Sequence, residues 1–177
     1  MNINYYQTTA KLTAIYPPEQ QIVYPTLGLI EEIGELLAIC RTDRTTVNGW
    51  TKLVQKELGD CLWQLANCCE DCGLRLDALF HASTFEEGIH LLSPSPSLTV
   101  SSQRLSGLVS KMIRDDKGEL TDERRERIKV VLMDIWRGLL AVCIKHGWAP
   151  SDIARLNLDK LKDRQERDVL KGDGDNR

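Results

Sequence analysis

Glu31-Glu32-Ile33-Gly34-Glu35 and Glu57-Leu58-Gly59-Asp60, two acidic clusters inside the stretch Leu27 to Trp63, decide how this chain is read. Each lies in a run whose apolar residues recur at helical spacing, so both are placed on helices. On the first, Leu29, Ile30, Ile33, Leu36, Leu37 and Cys40 share one arc, with Glu31 and Glu35 opposite and Glu32 at the margin. On the second, Leu58, Leu62, Leu65 and Cys69 form the apolar stripe, and Glu57 and Asp60 stand together beside it. Four carboxylates facing one another across an antiparallel helix pair repel, and the arrangement persists only with a compensating cation. An all-oxygen anionic set suits Mg²⁺, with Mn²⁺ as a substitute, better than Zn²⁺. Carboxylate-bound Mg²⁺ keeps positions open for water and phosphate oxygens, which points to phosphate chemistry.

Two solvated helix faces are the plain alternative, because Glu is a common surface helix former. Two features weigh against it. Gly34 and Gly59 interrupt helix interiors beside the acids, where Gly costs about 1 kcal/mol relative to Ala, as a close approach of backbone or ligand would require. No Lys or Arg stands four residues after Glu31, Glu32 or Glu35 to neutralise an exposed face.

Glu-Glu-x-x-Glu, a gap, then Glu-x-x-Asp resembles the signature of the all-α nucleoside triphosphate pyrophosphohydrolases, the MazG-like proteins and their dimeric dUTPase relatives. Glu57-Leu58-Gly59-Asp60-Cys61-Leu62-Trp63 is similar to that family's second metal helix. The resemblance implies Mg²⁺ held by Glu32, Glu35, Glu57 and Asp60. It also implies cleavage of a nucleoside triphosphate to monophosphate and pyrophosphate, as in nucleotide-pool house-cleaning, with Glu31 or Glu35 orienting or deprotonating the attacking water. Lys111-Met112-Ile113-Arg114 and the residues after it are similar to a loop that the family places between its metal helices, making Lys111 and Arg114 candidate substrate contacts. Asn157-Leu158-Asp159-Lys160-Leu161-Lys162-Asp163-Arg164 and the Gly-rich tail ending at Arg177 resemble the family's C-terminal signature, which makes Asn157, Lys160, Arg164 and Arg177 candidate substrate contacts too.

The last helix also speaks through its own pattern. Asn157, Lys160 and Arg164 fall within the apolar arc marked by Ile153, Leu156 and Leu161, with Ser151 as the expected N-cap. Cations and an amide aimed inward either meet a ligand's phosphates or pair with the acids themselves. Arg41, Arg44 and Lys52, in and beside the connector between the acidic helices, either reach a triphosphate or keep a loop soluble.

A chain of 177 residues, 42% hydrophobic and 28% charged, fits one domain with a sizeable core. A net charge of −3 without a basic block argues against a dedicated nucleic-acid binder. No apolar run is long enough for a membrane span and no signal-peptide pattern opens the chain, so the cytoplasm is the expected compartment. Six cysteines suit a reducing setting, packed as small apolar residues. Cys69, Cys72, Cys143 and His146 have spacing that also permits a zinc site.

Two halves emerge. Glu57-Leu58-Gly59-Asp60 finds a counterpart 74 residues on in Val131-Leu132-Met133-Asp134, and Cys72-Gly73-Leu74 in His146-Gly147-Trp148. The expected architecture is therefore an all-α helical bundle over residues 1–177. It comprises a metal-binding half (27–82), a Ser-Pro linker (83–103) and a degenerate repeat (104–177), the halves forming an internal pseudo-dimer and the chain a homodimer. The competing function is a non-catalytic nucleotide- or partner-binding protein derived from the same fold.

Overall fold

The computed structural model describes residues 2–79 and 97–171. Among them the secondary structure is helical, with no strand: α1 (Ile3–Leu12), a 3₁₀ turn (Pro18–Gln20), α2 (Val23–Cys40), α3 (Trp50–Asp71), α4 (Leu98–Asp115), α5 (Asp122–His146) and α6 (Pro150–Glu166). Residues 76–79 are also helical. The fold class is all-α, and no helix among the described residues is long and apolar enough to cross a membrane.

Two antiparallel hairpins, α2–α3 and α4–α5, pack side by side through α2 and α4, while α1 and α6 lie against α3. The amphipathic arcs account for this. Leu29, Ile33 and Leu36 of α2 meet Leu58, Leu62 and Leu65 of α3, all at most 2% exposed, and Leu105 and Met112 of α4 meet Ile128, Leu132 and Ile135 of α5. The Trp50 indole N–H donates to the Ile39 carbonyl at 3.1 Å, tying the start of α3 to the C-terminal end of α2.

The ends of α3 and α5 share one device. Leu74 N–H donates to Cys69 O at 2.8 Å and Trp148 N–H to Cys143 O at 3.0 Å, around Gly73 and Gly147 at φ +66° and +70°. Both are Schellman-type caps that need a left-handed residue, which Gly supplies without strain. Thr121 caps α5, its hydroxyl accepting from Arg124 N–H.

Three local expectations are corrected. Residues 98–103, assigned to the linker, are the first turns of α4: the Ser-Pro alternation ends at Ser97, whose hydroxyl accepts from Val100 N–H as an N-cap. Lys111 and Arg114 lie on α4 and not in a loop, which begins after Asp115. Helix α6 starts at Pro150 with Ala149 as N-cap, because Pro has no N–H to lose at the first helical position, so Ser151 is inside the helix. The rest of the linker, His81, His90 and the tail with Arg177 lie outside the described residues.

The two glycines beside the acids differ. A Cβ on Gly59 would stand 3.0 Å from Asn157 Cβ, so the close approach of α3 and α6 requires this glycine. Around Gly34 nothing lies within 4 Å. Thermal or denaturant unfolding should therefore give opposite signs: Gly34→Ala gains up to about 1 kcal/mol from helix propensity, and Gly59→Val loses roughly 2 kcal/mol from overpacking.

Candidate metal and phosphate site

Helices α2 and α3 run antiparallel, which brings Glu32 and Glu35 opposite Glu57 at one end and Gly28 opposite Gln64 at the other. One carboxylate oxygen each from Glu32, Glu35 and Glu57 lies within 4.8 Å of the others. Glu57 is 3% exposed. Its Oε1 accepts from Lys56 Nζ at 2.7 Å, while its Oε2 is buried and has no hydrogen-bond partner. A buried carboxylate oxygen left bare costs more than most single interactions in a protein gain, and the donor set around it consists of hard oxygens. The residues present therefore fit Mg²⁺.

Burial pushes Glu32 up to about 8 from its ordinary 4.5, and the negative charges of Asp60, Glu57 and Glu35 push in the same direction against a smaller downward pull from Lys160. Without a cation the cluster holds its charge down by keeping that proton.

Asp60 borders the same cavity but is clamped from α6. Lys160 forms an ion pair with its Oδ1, and Asn157 Nδ2 donates to the same oxygen at 3.1 Å. Asn157 in turn accepts from the buried Tyr6 hydroxyl at 3.0 Å. Asn157 and Lys160 thus hold an acid in place, where the sequence suggested direct contact with substrate.

The cavity that contains these groups measures about 880 Å³, room for a nucleotide. Glu31, exposed, is on its wall outside the trio. Arg164 lines it at 8% exposure and makes no side-chain hydrogen bond or ion pair with any other described residue. Lys171, just beyond α6, lines it too. The far end is walled by Tyr16, Tyr24, Leu27 and Trp63. The Tyr16 and Tyr24 rings stack at 4.7 Å, and Trp63 Nε1 donates to Thr13 Oγ1 at 2.8 Å. Asp71 secures this wall by accepting from the Tyr16 hydroxyl at 2.8 Å and from Ile22 N–H at 3.0 Å. Ile22 needs that anchor, because at φ +66° a β-branched residue is strained.

Lys111 and Arg114 are not part of this cavity. Lys111 borders a groove of about 390 Å³ with Arg104 and Arg127, and Arg114 is exposed and paired with Asp115 at 2.6 Å. Asp134, which the sequence pattern sets 74 residues after Asp60, pairs with Arg104 at 3.1 Å. Arg44 leaves the cavity as well: its guanidinium lies 4.4 Å over the Trp50 ring and bonds to His146, which also packs on Trp148. Cys69, Cys72, Cys143 and His146 do not gather as a ligand set; among the described residues only the glutamate trio does.

Lys56, Tyr16, Tyr24, Gln64 and Lys171 were not singled out from sequence. Gln64 carried a usable signal, since it stands four residues after Asp60 and seven after Glu57 and shares their helix face. The tyrosines carried none, because they flank a turn whose path only packing sets.

Comparison with known proteins gives little beyond this geometry. No family model matches the chain, and no solved structure matches it. "Gene 37 protein" of Mycobacterium phage L5 is 32% identical over 73 residues, covering 41% of this chain. The chain spans 64% of the length of that relative.

Proposed function

We propose that this protein is a Mg²⁺-dependent nucleoside triphosphate pyrophosphohydrolase, releasing a nucleoside monophosphate and pyrophosphate, and acting in nucleotide-pool house-cleaning in the reducing cytoplasm. One observation carries the reading: among the described residues, Glu57 Oε2 is buried without a partner inside a trio of carboxylates that share a cavity with an unpaired, buried Arg164. An anionic triphosphate needs both a cation between it and the glutamates and a guanidinium beyond them.

Glu32, Glu35 and Glu57 would hold Mg²⁺, with Asp60 beside them. When bound, the ion neutralises phosphate charge and lowers the pKa of a coordinated water. Glu31 or Glu35 would orient the attacking water and take its proton. Arg164 and Lys171 face the phosphates, and Arg164 stabilises the charge that develops on the departing pyrophosphate. Lys160 and Asn157 keep Asp60 aimed.

The matching caps of α3 and α5, 74 residues apart, support reading the two hairpins as related halves of an internal pseudo-dimer, of which only the first kept its acids. The alternative, nucleotide binding without turnover, draws on the clamp that already occupies Asp60.

Pyrophosphate release from a panel of canonical and damaged dNTPs, with Mg²⁺ and with EDTA, tests the proposal. Release that depends on Mg²⁺ is expected, whereas binding without release would leave only the alternative. Arg164→Ala should lower kcat/KM by roughly 10- to 100-fold while Mg²⁺ binding, measured by calorimetry, is unchanged. An equal loss of metal binding would assign Arg164 to the carboxylates instead.

A further inference from the structure

Gln64 has no role in the chemistry above, yet it is 7% exposed, borders the cavity, and its Oε1 is buried without a hydrogen-bond partner. Its carboxamide makes no hydrogen bond to any other described residue, an unusual state for a buried amide. The pose is built by the neighbouring helix. A Cβ on Gly28 would fall 2.2 Å from Gln64 Nε2 and 2.5 Å from Cδ, so only glycine lets the amide lie flat against α2.

Position gives the amide its meaning. At 1.5 Å rise per residue, Gln64 stands about 10 Å along α3 from Glu57, roughly the reach of a nucleoside from its phosphate to the far edge of its base. Around it the cavity turns from carboxylate to aromatic, with Tyr16, Tyr24 and Trp63 in the wall. A flat, partly apolar group suits a wall of such rings, and an amide offers it one donor and one acceptor side by side.

We infer that Gln64, held open by Gly28, is the specificity-determining residue that reads the hydrogen-bonding edge of the substrate's nucleobase. This rests on the proposed nucleotide chemistry and adds to it the part of the substrate that is recognised and the side chain that recognises it. Inorganic tripolyphosphate, which has no base, lacks this contact. The side chain is a positioning group and takes no part in bond breaking.

The test is calorimetry on the full chain in Mg²⁺ with α,β-imido analogues of dATP, dCTP, dGTP and dTTP, with tripolyphosphate, and with Mg²⁺ alone. Wild type should bind at least one analogue 10-fold or more tighter than tripolyphosphate. Gln64→Leu should lose that preference, weakening the preferred analogue by roughly 10- to 100-fold while its affinities for Mg²⁺ and tripolyphosphate stay within about 2-fold. Gly28→Ala, which displaces only the flexible end of Gln64, should give an intermediate loss with a normal melting transition. If wild type prefers an analogue and Gln64→Leu keeps that preference, the inference about Gln64 fails and the nucleotide reading stands. If wild type binds Mg²⁺ and no analogue, the nucleotide reading fails and takes the inference with it.

Discussion

Glu57→Gln is expected to abolish the proposed Mg²⁺-dependent pyrophosphate release, by at least about 100-fold, in a protein that remains helical by circular dichroism. The substitution is nearly isosteric, so the packing around position 57 is untouched, but it removes a negative charge from the trio. It also leaves the position of Oε2, now bare and buried, with no anion to offer a cation. In EDTA the variant should melt no lower than wild type, because one of three mutually repelling carboxylates has gone. It should also lose the stabilisation that Mg²⁺ confers on wild type. Retained turnover, or an unchanged melting shift with Mg²⁺, would remove Glu57 from the site.

The second large effect is a stability that falls as pH rises. Glu32 titrates near 8 in the folded chain and near 4.5 when unfolded. Between those values the folded state holds a proton that the unfolded state has released, so each step up in pH favours unfolding, and the loss is complete above about 8. Fully realised, the shift would exceed 4 kcal/mol, but Glu32 is only partly buried and solvent screens it, which leaves on the order of 2 kcal/mol. Metal-free protein in EDTA should therefore melt several degrees lower at pH 8.5 than at pH 5.5. Mg²⁺ should restore the difference, stabilising more at the higher pH, because the ion takes the place of the proton. A flat profile in Glu32→Gln would assign the slope to this residue; the same slope in that variant would exclude it.

How far the site could be read in advance varied residue by residue, for physical reasons. Glu32, Glu35 and Glu57 were legible because helical periodicity is local: the same spacing that buries Ile33 and Leu58 sets where the acids point. Asn157 and Arg164 were legible as inward-facing for the same reason, and both are buried. Their partners were not. Periodicity states which side of a helix faces inward but is silent about what stands there, so Lys160 and Asn157 were given to the substrate when Asp60 receives them. Lys111 and Arg114 were set at the wrong surface because a motif of charged residues has no means of naming what it borders: Lys111 lines a groove of the other hairpin and Arg114 pairs with Asp115. The start of α4 was hidden because Thr99, Ser101 and Ser102 weaken the apolar pattern, and two of them are buried only by packing.

By itself the sequence determined that this protein is a bundle of amphipathic helices and that two of them carry acids beside their apolar stripes, since both follow from the spacing of residues a few positions apart. The tertiary structure alone decided that three of those acids converge while the fourth is clamped, that Arg164 lines their cavity with no side-chain partner among the described residues, and that Gln64 and two tyrosines complete the cavity. These depend on the register of α2 against α3 and on the seat of α6 over Gly59, contacts between residues far apart in the chain, whose geometry is set by the shapes of side chains packed together and not by the order in which they occur.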